Sequence, residues 1–178
     1  NKPAGVAVHG GSGVSFGVIE QLRRARPQAK FLELVHRLDK ETSGILLVAK
    51  KRSALVALQD HFRERRAHKT YAALVIGTWP AHKKVIDVAL HKFLTPEGER
   101  RVKAVSDDND DGRRSISLVQ IVRCYATFTL LDVTIKTGRT HQIRVDFTHA
   151  GFPILGDTTY GAKQNQRCKE ALNYSAAR

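Results

Sequence analysis

The sequence has few cysteines, and its histidines are not arranged as in known metal sites. Two cysteines, Cys124 and Cys168, stand far apart among the 178 residues, and the eight histidines form neither an HExxH motif nor a cluster with the cysteines. These spacings exclude the familiar zinc sites and dithiol redox pairs. We therefore expect no metal site, and two reduced thiols of the kind found in cytosolic proteins.

Long apolar segments are also missing. No run approaches the roughly 20 apolar residues that a membrane span requires, the opening residues NKPAG are unlike a signal or transit peptide, and no lipidation signal is present. With 42% hydrophobic residues, the composition is instead that of an ordinary globular chain. The pattern favours a cytoplasmic protein without membrane attachment, and we expect a monomer.

Acidic residues are scarce relative to basic ones. Thirty lysines and arginines stand against 17 aspartates and glutamates, which gives a net charge of +13. Four of the acids are concentrated in the acidic segment, residues 106–112 (SDDNDDG), whose composition predicts an exposed loop. A field of this sign attracts polyanions, so we expect nucleic acid as the partner. An anionic membrane and a surface charged only for solubility are the alternatives.

The hydrophobic pattern predicts a mixture of strands and helices. Ser15, Ser53 and Thr140 are predicted to cap three helices. Strands are predicted at 45–49, 71–76, 85–90, 116–122 and 126–135. The run at 45–49 is apolar throughout, which is typical of a buried central strand. This content predicts an α+β fold, with a mixed, mainly antiparallel central sheet flanked by helices.

One segment concentrates groups that could carry out chemistry. Residues 35–44, VHRLDKETSG, place Asp39 between basic residues and a tight turn, just before the predicted strand at 45–49. A neighbouring cation favours the ionised carboxylate, which could then act as a base or nucleophile. Alternatively, Asp39 accepts hydrogen bonds from residues 40–42 in an Asx-turn. The residues alone leave both interpretations open.

Three blocks of the sequence resemble one enzyme family. HRLDKETSG at 36–44 is similar to the HRLDxxTSG signature of the ribosomal and transfer RNA pseudouridine synthases. Lys69-Thr70-Tyr71 resembles the second block of that family, and TGRTHQIR at 137–144, followed by GFPILGD at 151–157, resembles the third. The order and spacing agree over nearly the whole chain. The strings NKPAGVAVHGG and FLELVHRLD point more narrowly to the branch that modifies large-subunit ribosomal RNA.

The resemblance implies a reaction and a set of site residues. It implies a pseudouridine synthase fold with a basic catalytic cleft, in which uridine of structured RNA is isomerised without cofactor, metal or redox step. By motif position, Asp39 is the catalytic aspartate, Tyr71 packs on the uracil, and Arg144 holds Asp39 in an ion pair. A planar, always-charged guanidinium suits a buried carboxylate. Without the resemblance, Tyr71 is a core aromatic residue and Arg144 a solvent-facing helix residue.

The resemblance also directs attention to three basic residues. The target uridine must leave its stack, and Arg37 is predicted to fill the vacated space or hold a phosphate. Pairing of Arg37 with Glu33 or Glu41 is the alternative. Lys69 and Arg139 lie within the motif blocks and are predicted to contact backbone phosphate. Asp146-Phe147 stands where His-Leu is more usual in the family, and we expect little consequence.

The resemblance covers only a catalytic domain. We expect residues 1–178 to form a single catalytic domain that is shortened at both ends, without the N-terminal RNA-binding domain and the C-terminal strand and helix of family members. A non-catalytic RNA-binding or ribosome-assembly factor of the same fold is the main rival interpretation. A hydrolase of RNA phosphate esters is a weaker rival, since the paired carboxylates or metal ligands that such chemistry favours are missing.

Overall fold

The chain folds into two compact units, which we describe in turn. The computed structural model describes residues 1–11 and 16–176. The units are Asn1–Ala67 and His68–Arg178. The expectation of a single catalytic domain over 1–178 stays a prediction. Within the described ranges, no helix has the length and apolar character that crossing a bilayer requires.

The first unit combines two helices with a short antiparallel ribbon. Its elements are α1 (Val18–Ala25), β1 (Glu33–Leu34), β2 (Val48–Ala49) and α2 (Arg52–Arg63). The ribbon pairs Leu34 with Val48. Helix α1 begins after the N-cap Gly17, whose N–H donates to the Glu20 carboxylate at 2.8 Å. The predicted cap Ser15 lies outside the described residues.

The prediction of a buried central strand at 45–49 is wrong. Only Val48–Ala49 is a strand, and Ile45 is 78% exposed. Residues 45–47 lie in the loop before β2, and the adjacent Gly44 forms an isolated antiparallel bridge with Lys2. An apolar run shows that a segment favours burial, but it does not show which neighbours are available.

The second unit is built on a five-stranded sheet of order β3-β7-β6-β4-β5, with every neighbouring pair antiparallel. Its strands are β3 (Lys69–Ile76), β4 (Val85–Leu94), β5 (Arg100–Val105), β6 (Arg113–Cys124) and β7 (Phe128–Ile135). Helices α3 (Gln142–His149) and α4 (Ala162–Ala176) follow. The predicted α+β fold is confirmed, and four of the five predicted strands match β3, β4, β6 and β7. Strand β5 and helix α4 were not predicted.

One hydrophobic core lies between the sheet and α3. Phe147 of α3 and Val75, Leu131 and Val133 of the sheet are completely buried. The Trp79 ring lies 5.0 Å from that of Phe147. Large apolar side chains of this kind each contribute about 1.5–3 kcal/mol when buried. The core therefore holds α3 firmly against the sheet.

The starts of α2 and α3 differ from the predicted caps. Helix α2 begins after Lys51, so Ser53 lies in its first turn, and α3 begins after His141, which adopts a left-handed conformation with φ of 53°. Thr140 thus belongs to the preceding loop. That loop is held by the buried side chain of Gln142, whose Oε1 accepts the N–H of Arg139 at 3.0 Å. A loop contact formed after folding therefore overrode the local capping signal.

Asp146 has a larger structural role than we expected. Its carboxylate is completely buried on α3 and accepts hydrogen bonds from the Ser117 hydroxyl at 2.7 Å and the Ser115 hydroxyl at 3.2 Å. Burial raises the pKa of Asp146 to about 6, and the serine hydrogen bonds only partly oppose this shift. The titratable Asp146 side chain thus lies between α3, which also carries Arg144, and the sheet.

Candidate active site

The loop that carries Asp39 is closed at its base. We call residues 36–46, between β1 and β2, the Asp39 loop. The Val35 N–H donates to the Leu47 carbonyl at 3.0 Å, and the Leu47 N–H donates to Nε2 of His36 at 3.0 Å. A ring nitrogen that accepts a hydrogen bond carries no proton, so His36 is neutral in this arrangement. The two bonds hold the ends of the loop together.

Lys2 supports the Asp39 loop from the inside. Its side chain is buried, with 2% exposure, and Nζ donates to the carbonyls of Pro3 at 2.9 Å, Val6 at 2.7 Å and Lys40 at 2.9 Å. Its backbone pairs with Gly44 through N···O distances of 2.7 and 3.0 Å. A single residue thus joins the amino-terminal segment to both halves of the turn.

The charge of Lys2 bears on the catalytic candidate. Burial lowers the pKa of Lys2, and the negative charges of Glu41 and Asp39 act in the opposite direction. Lys2 therefore lies close enough to Asp39 to interact with it electrostatically. Lys2 lies in the opening string NKPAGVAVHGG, but we predicted no role for it. A lone lysine in an otherwise apolar opening segment is the signal that could have indicated burial.

The turn at Asp39 is closed by the backbone. The Thr42 N–H donates to the main-chain carbonyl of Asp39 at 3.1 Å, and Gly44 takes a φ of 126° that side chains rarely adopt. Asp39 is half-buried. The catalytic role of the Asp39 carboxylate stays a prediction.

Arg37 is presented to solvent at the edge of the same loop. Its neighbour Leu38 is buried, while Arg37 is exposed. Glu33 pairs with Arg23 at 2.9 Å. Among residues 1–11 and 16–176, Arg37 forms no ion pair with Glu33 or Glu41, so the alternative of simple local pairing is not observed. The proposed role of Arg37 toward RNA stays a prediction.

Strand β3 places Lys69 and Tyr71 on the face that leads into the core. Alternate residues of β3 share one face, and Ala73 and Val75 are buried there while Lys69 and Tyr71 are half-buried. Burial lowers the pKa of Lys69. A Cβ added to Gly138 would lie 3.5 Å from the Lys69 ammonium, so this cation lies beside the loop of the third motif block. Tyr71 is outside the fully buried core, at the start of its strand.

Arg144 is not the solvent-facing residue of the alternative interpretation. From α3, its Nε and Nη2 donate to the two carboxylate oxygens of Asp157 at 2.8 and 3.0 Å, and its side chain is 20% exposed. Its guanidinium carbon also lies 5.0 Å from the centre of the Tyr160 ring. The predicted ion pair of Arg144 with Asp39 stays a prediction.

Asp157 is itself held by several donors. Burial acts to raise the pKa of Asp157, but the hydrogen bonds and charge of Arg144, with the N–H groups of Tyr160 and Thr159, bring it below its ordinary value. The buried amide of Asn165 donates to the Asp157 carbonyl at 3.1 Å. The carboxylate is therefore ionised and fixed in place opposite the guanidinium.

Tyr160 completes the support of Arg144. Its hydroxyl accepts the Val102 N–H of β5 at 3.1 Å and lies 2.6 Å from Nδ1 of His141. Asp157 and Tyr160 were not among the predicted site residues. Asp157 ends the GFPILGD string, but the sequence contains no indication that its partner is Arg144, 13 residues earlier.

Within the described ranges, no group of three His, Cys, Asp or Glu residues is arranged to hold a metal ion.

Arg139 lies at an exposed position of the loop before α3. Its Nε donates to the carbonyl of Arg114 at 3.0 Å, and its own N–H is held by Gln142. Its guanidinium lines a surface groove together with Arg113 and Lys92. The second unit thus brings Lys69 and Arg139 to the same loop, while Asp39 and Arg37 are positioned by the first unit.

Comparison with known proteins gives a consistent family. A family model described as RNA pseudouridylate synthase matches residues 1–149. "Ribosomal large subunit pseudouridine synthase C" of Escherichia coli (strain K12) is 51% identical over 167 residues, covering 94% of this chain and 51% of the relative. The protein of the same name from Haemophilus ducreyi is 55% identical over 161 residues, covering 90% and 49%. The predicted resemblance to this branch of the family is confirmed.

Solved structures agree with the sequence comparison. "Human RNA Pseudouridylate Synthase Domain Containing 1" superposes with a TM-score of 0.73 at 28% identity, covering 90% of this chain and 64% of that one. "Human RNA Pseudouridylate Synthase Domain Containing 4" gives a TM-score of 0.70 at 26% identity, covering 89% of this chain and 63% of that one. The chain spans about half the length of the curated relatives that it matches. On these matches and the three motif blocks, the chain belongs to the RNA pseudouridylate synthase family.

Proposed function

We propose that this chain isomerises specific uridines to pseudouridine in large-subunit ribosomal RNA. The observation that carries the proposal is a sequence identity of 51–55%, over 90–94% of the chain, with relatives named "Ribosomal large subunit pseudouridine synthase C". The net charge of +13 is consistent with an RNA substrate. These relatives are about twice as long as this chain, and a direct assay of the 178 residues tests their activity.

Asp39 is the catalytic carboxylate of the proposed reaction. The bond between ribose C1′ and uracil N1 breaks, the base rotates, C1′ joins C5, the C5 proton is released and N1 takes up a proton. Asp39 either attacks C1′ or removes the C2′ proton. Lys2 supports this role, because its ammonium donates to the carbonyl of Lys40, next to Asp39, and so holds the Asp39 loop in place. The reaction uses no cofactor or metal, so activity should persist in excess chelator on an RNA that folds without Mg²⁺.

The other site residues bind and orient the RNA. Tyr71 packs on the uracil, and Arg144 holds Asp39 in an ion pair while Asp157 fixes the guanidinium. Arg37 compensates for the unstacking of the target uridine, a cost of a few kcal/mol. Lys69 and Arg139 contact backbone phosphate. We further propose a cytoplasmic monomer that acts as one catalytic domain without membrane attachment.

The direct test follows the proton at uracil C5. Large-subunit ribosomal RNA labelled at that position is incubated with the protein, and label release is measured. The Asp39→Asn variant keeps the shape of the side chain but lacks its charge. It should release no label and still bind the RNA nearly as tightly, because phosphate contacts dominate the affinity. An equal loss of binding and turnover would contradict the assignment.

The same experiment separates the rival function. A ribosome-assembly factor of this fold would bind the RNA and release no label, with or without Asp39. Label release by the unmodified chain, abolished by Asp39→Asn, supports the synthase and excludes the pure binding role.

A further inference from the structure

A groove in the second unit combines apolar and cationic side chains. It has a volume of about 360 Å³ and lies between β4, β6 and the loop before α3. Its floor includes the apolar side chains of Leu90 and Val102, and its cations are Lys92, Arg113 and Arg139. A volume of this order, apolar at the floor with a few charged groups at the rim, is typical of small-molecule and nucleotide subsites.

The register of the sheet explains why these groups converge. Leu90 of β4 lies directly opposite Arg113 of β6, and Lys92 lies opposite Val102 of β5. Directly paired residues and residues two apart share a face. All four therefore project from the face that also carries Ser115 and α3. Beyond α3, the face of the sheet that packs in the core carries the basic side chains of Lys92 and Arg113.

The cations of the groove differ from others on the same sheet. Arg114 is neutralised by a two-point ion pair with Asp87. In the described part of the chain, neither Lys92 nor Arg113 forms an ion pair with a carboxylate, and both are exposed. Arg139 is oriented by its hydrogen bond to the Arg114 carbonyl. The groove thus keeps positive charge available for a ligand.

We propose that this groove is a second RNA subsite, which binds a nucleotide of the same RNA other than the one that is isomerised. Its sugar or base lies on Leu90 and Val102, and its phosphate is bound by Lys92, Arg113 and Arg139. The inference rests on the proposed function, since it takes RNA as the substrate. Val102 also connects the groove to the support of Arg144, because its N–H donates to the Tyr160 hydroxyl.

The acidic segment contributes an opposing charge. Asp111 lines the groove. It repels phosphate on its side, so the phosphate is placed toward the arginines. Neutralising Asp111 should therefore strengthen RNA binding, which is the reverse of the effect expected at Arg113 two residues later.

The test measures affinity for an unmodified large-subunit ribosomal RNA transcript at several salt concentrations, using the full 178-residue chain. Combining Lys92→Gln with Arg113→Gln should weaken binding about tenfold and reduce the slope of log affinity against log salt by about 1–2, since each lost phosphate contact accounts for about 0.7–0.9. Arg123→Gln is the control for the loss of one remote positive charge. Arg123 is exposed at the far end of β6, about 30 Å from Arg113 by the rise of a strand.

A second pair of variants tests the sign. Asp111→Asn should tighten binding two- to fivefold, whereas Asp132→Asn, which neutralises an exposed carboxylate on β7, should change it little. Thermal unfolding of each variant checks that the fold is kept. The proposal is overturned if the double variant matches Arg123→Gln, or if Asp111→Asn matches Asp132→Asn. Groove-dependent binding without C5 proton release would contradict the proposed function alone. Proton release without groove dependence would contradict the subsite alone.

Discussion

The guanidinium of Arg144 is bound at two points by the carboxylate of Asp157, with N···O distances of 2.8 and 3.0 Å. Such a fork is among the strongest and most directional ion pairs in proteins. Asp157 is in turn fixed by backbone donors and by Asn165. Asp157 therefore helps to set the orientation of Arg144.

The first prediction concerns the strength of this pair. Asp157→Ala should lower the free energy of unfolding by about 3 kcal/mol, because it leaves a largely buried guanidinium without its counter-ion. Urea unfolding followed by circular dichroism measures the change. Asp132→Ala, at an exposed position, should change it by less than about 0.5 kcal/mol. Equal effects of the two variants would show that the ion pair contributes nothing.

The second prediction separates charge from geometry at Arg144. Arg144→Lys keeps a cation near Asp157 but loses the planar fork. We expect a small loss of stability and at least a tenfold loss of C5 proton release, because a lysine cannot hold both carboxylates that we assign to Arg144. Label release and urea unfolding are measured on the same preparation. A variant that loses both in equal proportion would indicate a purely structural arginine.

The third prediction is a pH dependence that originates at Asp146. Its pKa is raised to about 6 in the folded protein, against about 3.9 in an unfolded chain. Between these values the folded state holds the extra proton, so stability falls as the pH rises from about 4 to about 6 and is then level. Asp146→Asn should remove this fall and stabilise the protein at pH 7 by up to about 3 kcal/mol.

Unfolding free energies at pH 4.5, 5.5, 6.5 and 7.5 test the role of Asp146. The difference between Asp146→Asn and the unaltered protein should grow up to about pH 6 and then stay constant. A difference that is independent of pH would mean that the buried carboxylate does not titrate in this range.

The fourth prediction concerns Lys2. Lys2→Met keeps the length of the side chain but leaves three carbonyls without their donor. We expect a loss of about 2–3 kcal/mol in stability and a larger proportional loss of turnover than of RNA affinity, since the Asp39 loop loses its support. Lys30→Met, at an exposed position, is the control. Unchanged turnover in folded Lys2→Met would show that Lys2 does not support the candidate active site.

The fifth prediction tests Arg37 with two RNAs. One RNA holds the target uridine in a stacked stem and the other holds it in a flexible loop. Arg37→Ala should reduce turnover more strongly on the stacked uridine, because unstacking costs less in the loop. Single-turnover rates on both RNAs give the comparison. Equal losses would favour a plain phosphate contact.

Local patterns in the sequence were sufficient for much of the fold. Apolar and β-branched runs predicted β3, β4, β6 and β7, because such runs depend only on neighbours within one strand. Strand β5 was missed because its basic sequence, RRVKAV, conceals the buried Val102. The run at 45–49 was misassigned because its apolar character does not indicate which partners surround it.

The chemistry of the candidate site was likewise recognisable in part. Asp39, Tyr71 and Arg144 were named from short motifs, since a motif records residue types at fixed spacings. Lys2 bonded to the Lys40 carbonyl, and Asp157 bonded to Arg144, were not foreseen. Such pairs depend on which segments folding brings within about 3 Å, and each polar group can find many partners in an unfolded chain. The linear sequence therefore determined the chemical groups and the local elements. The tertiary structure decided the partners of each group, because a buried polar group can bond only to the few groups that folding places around it.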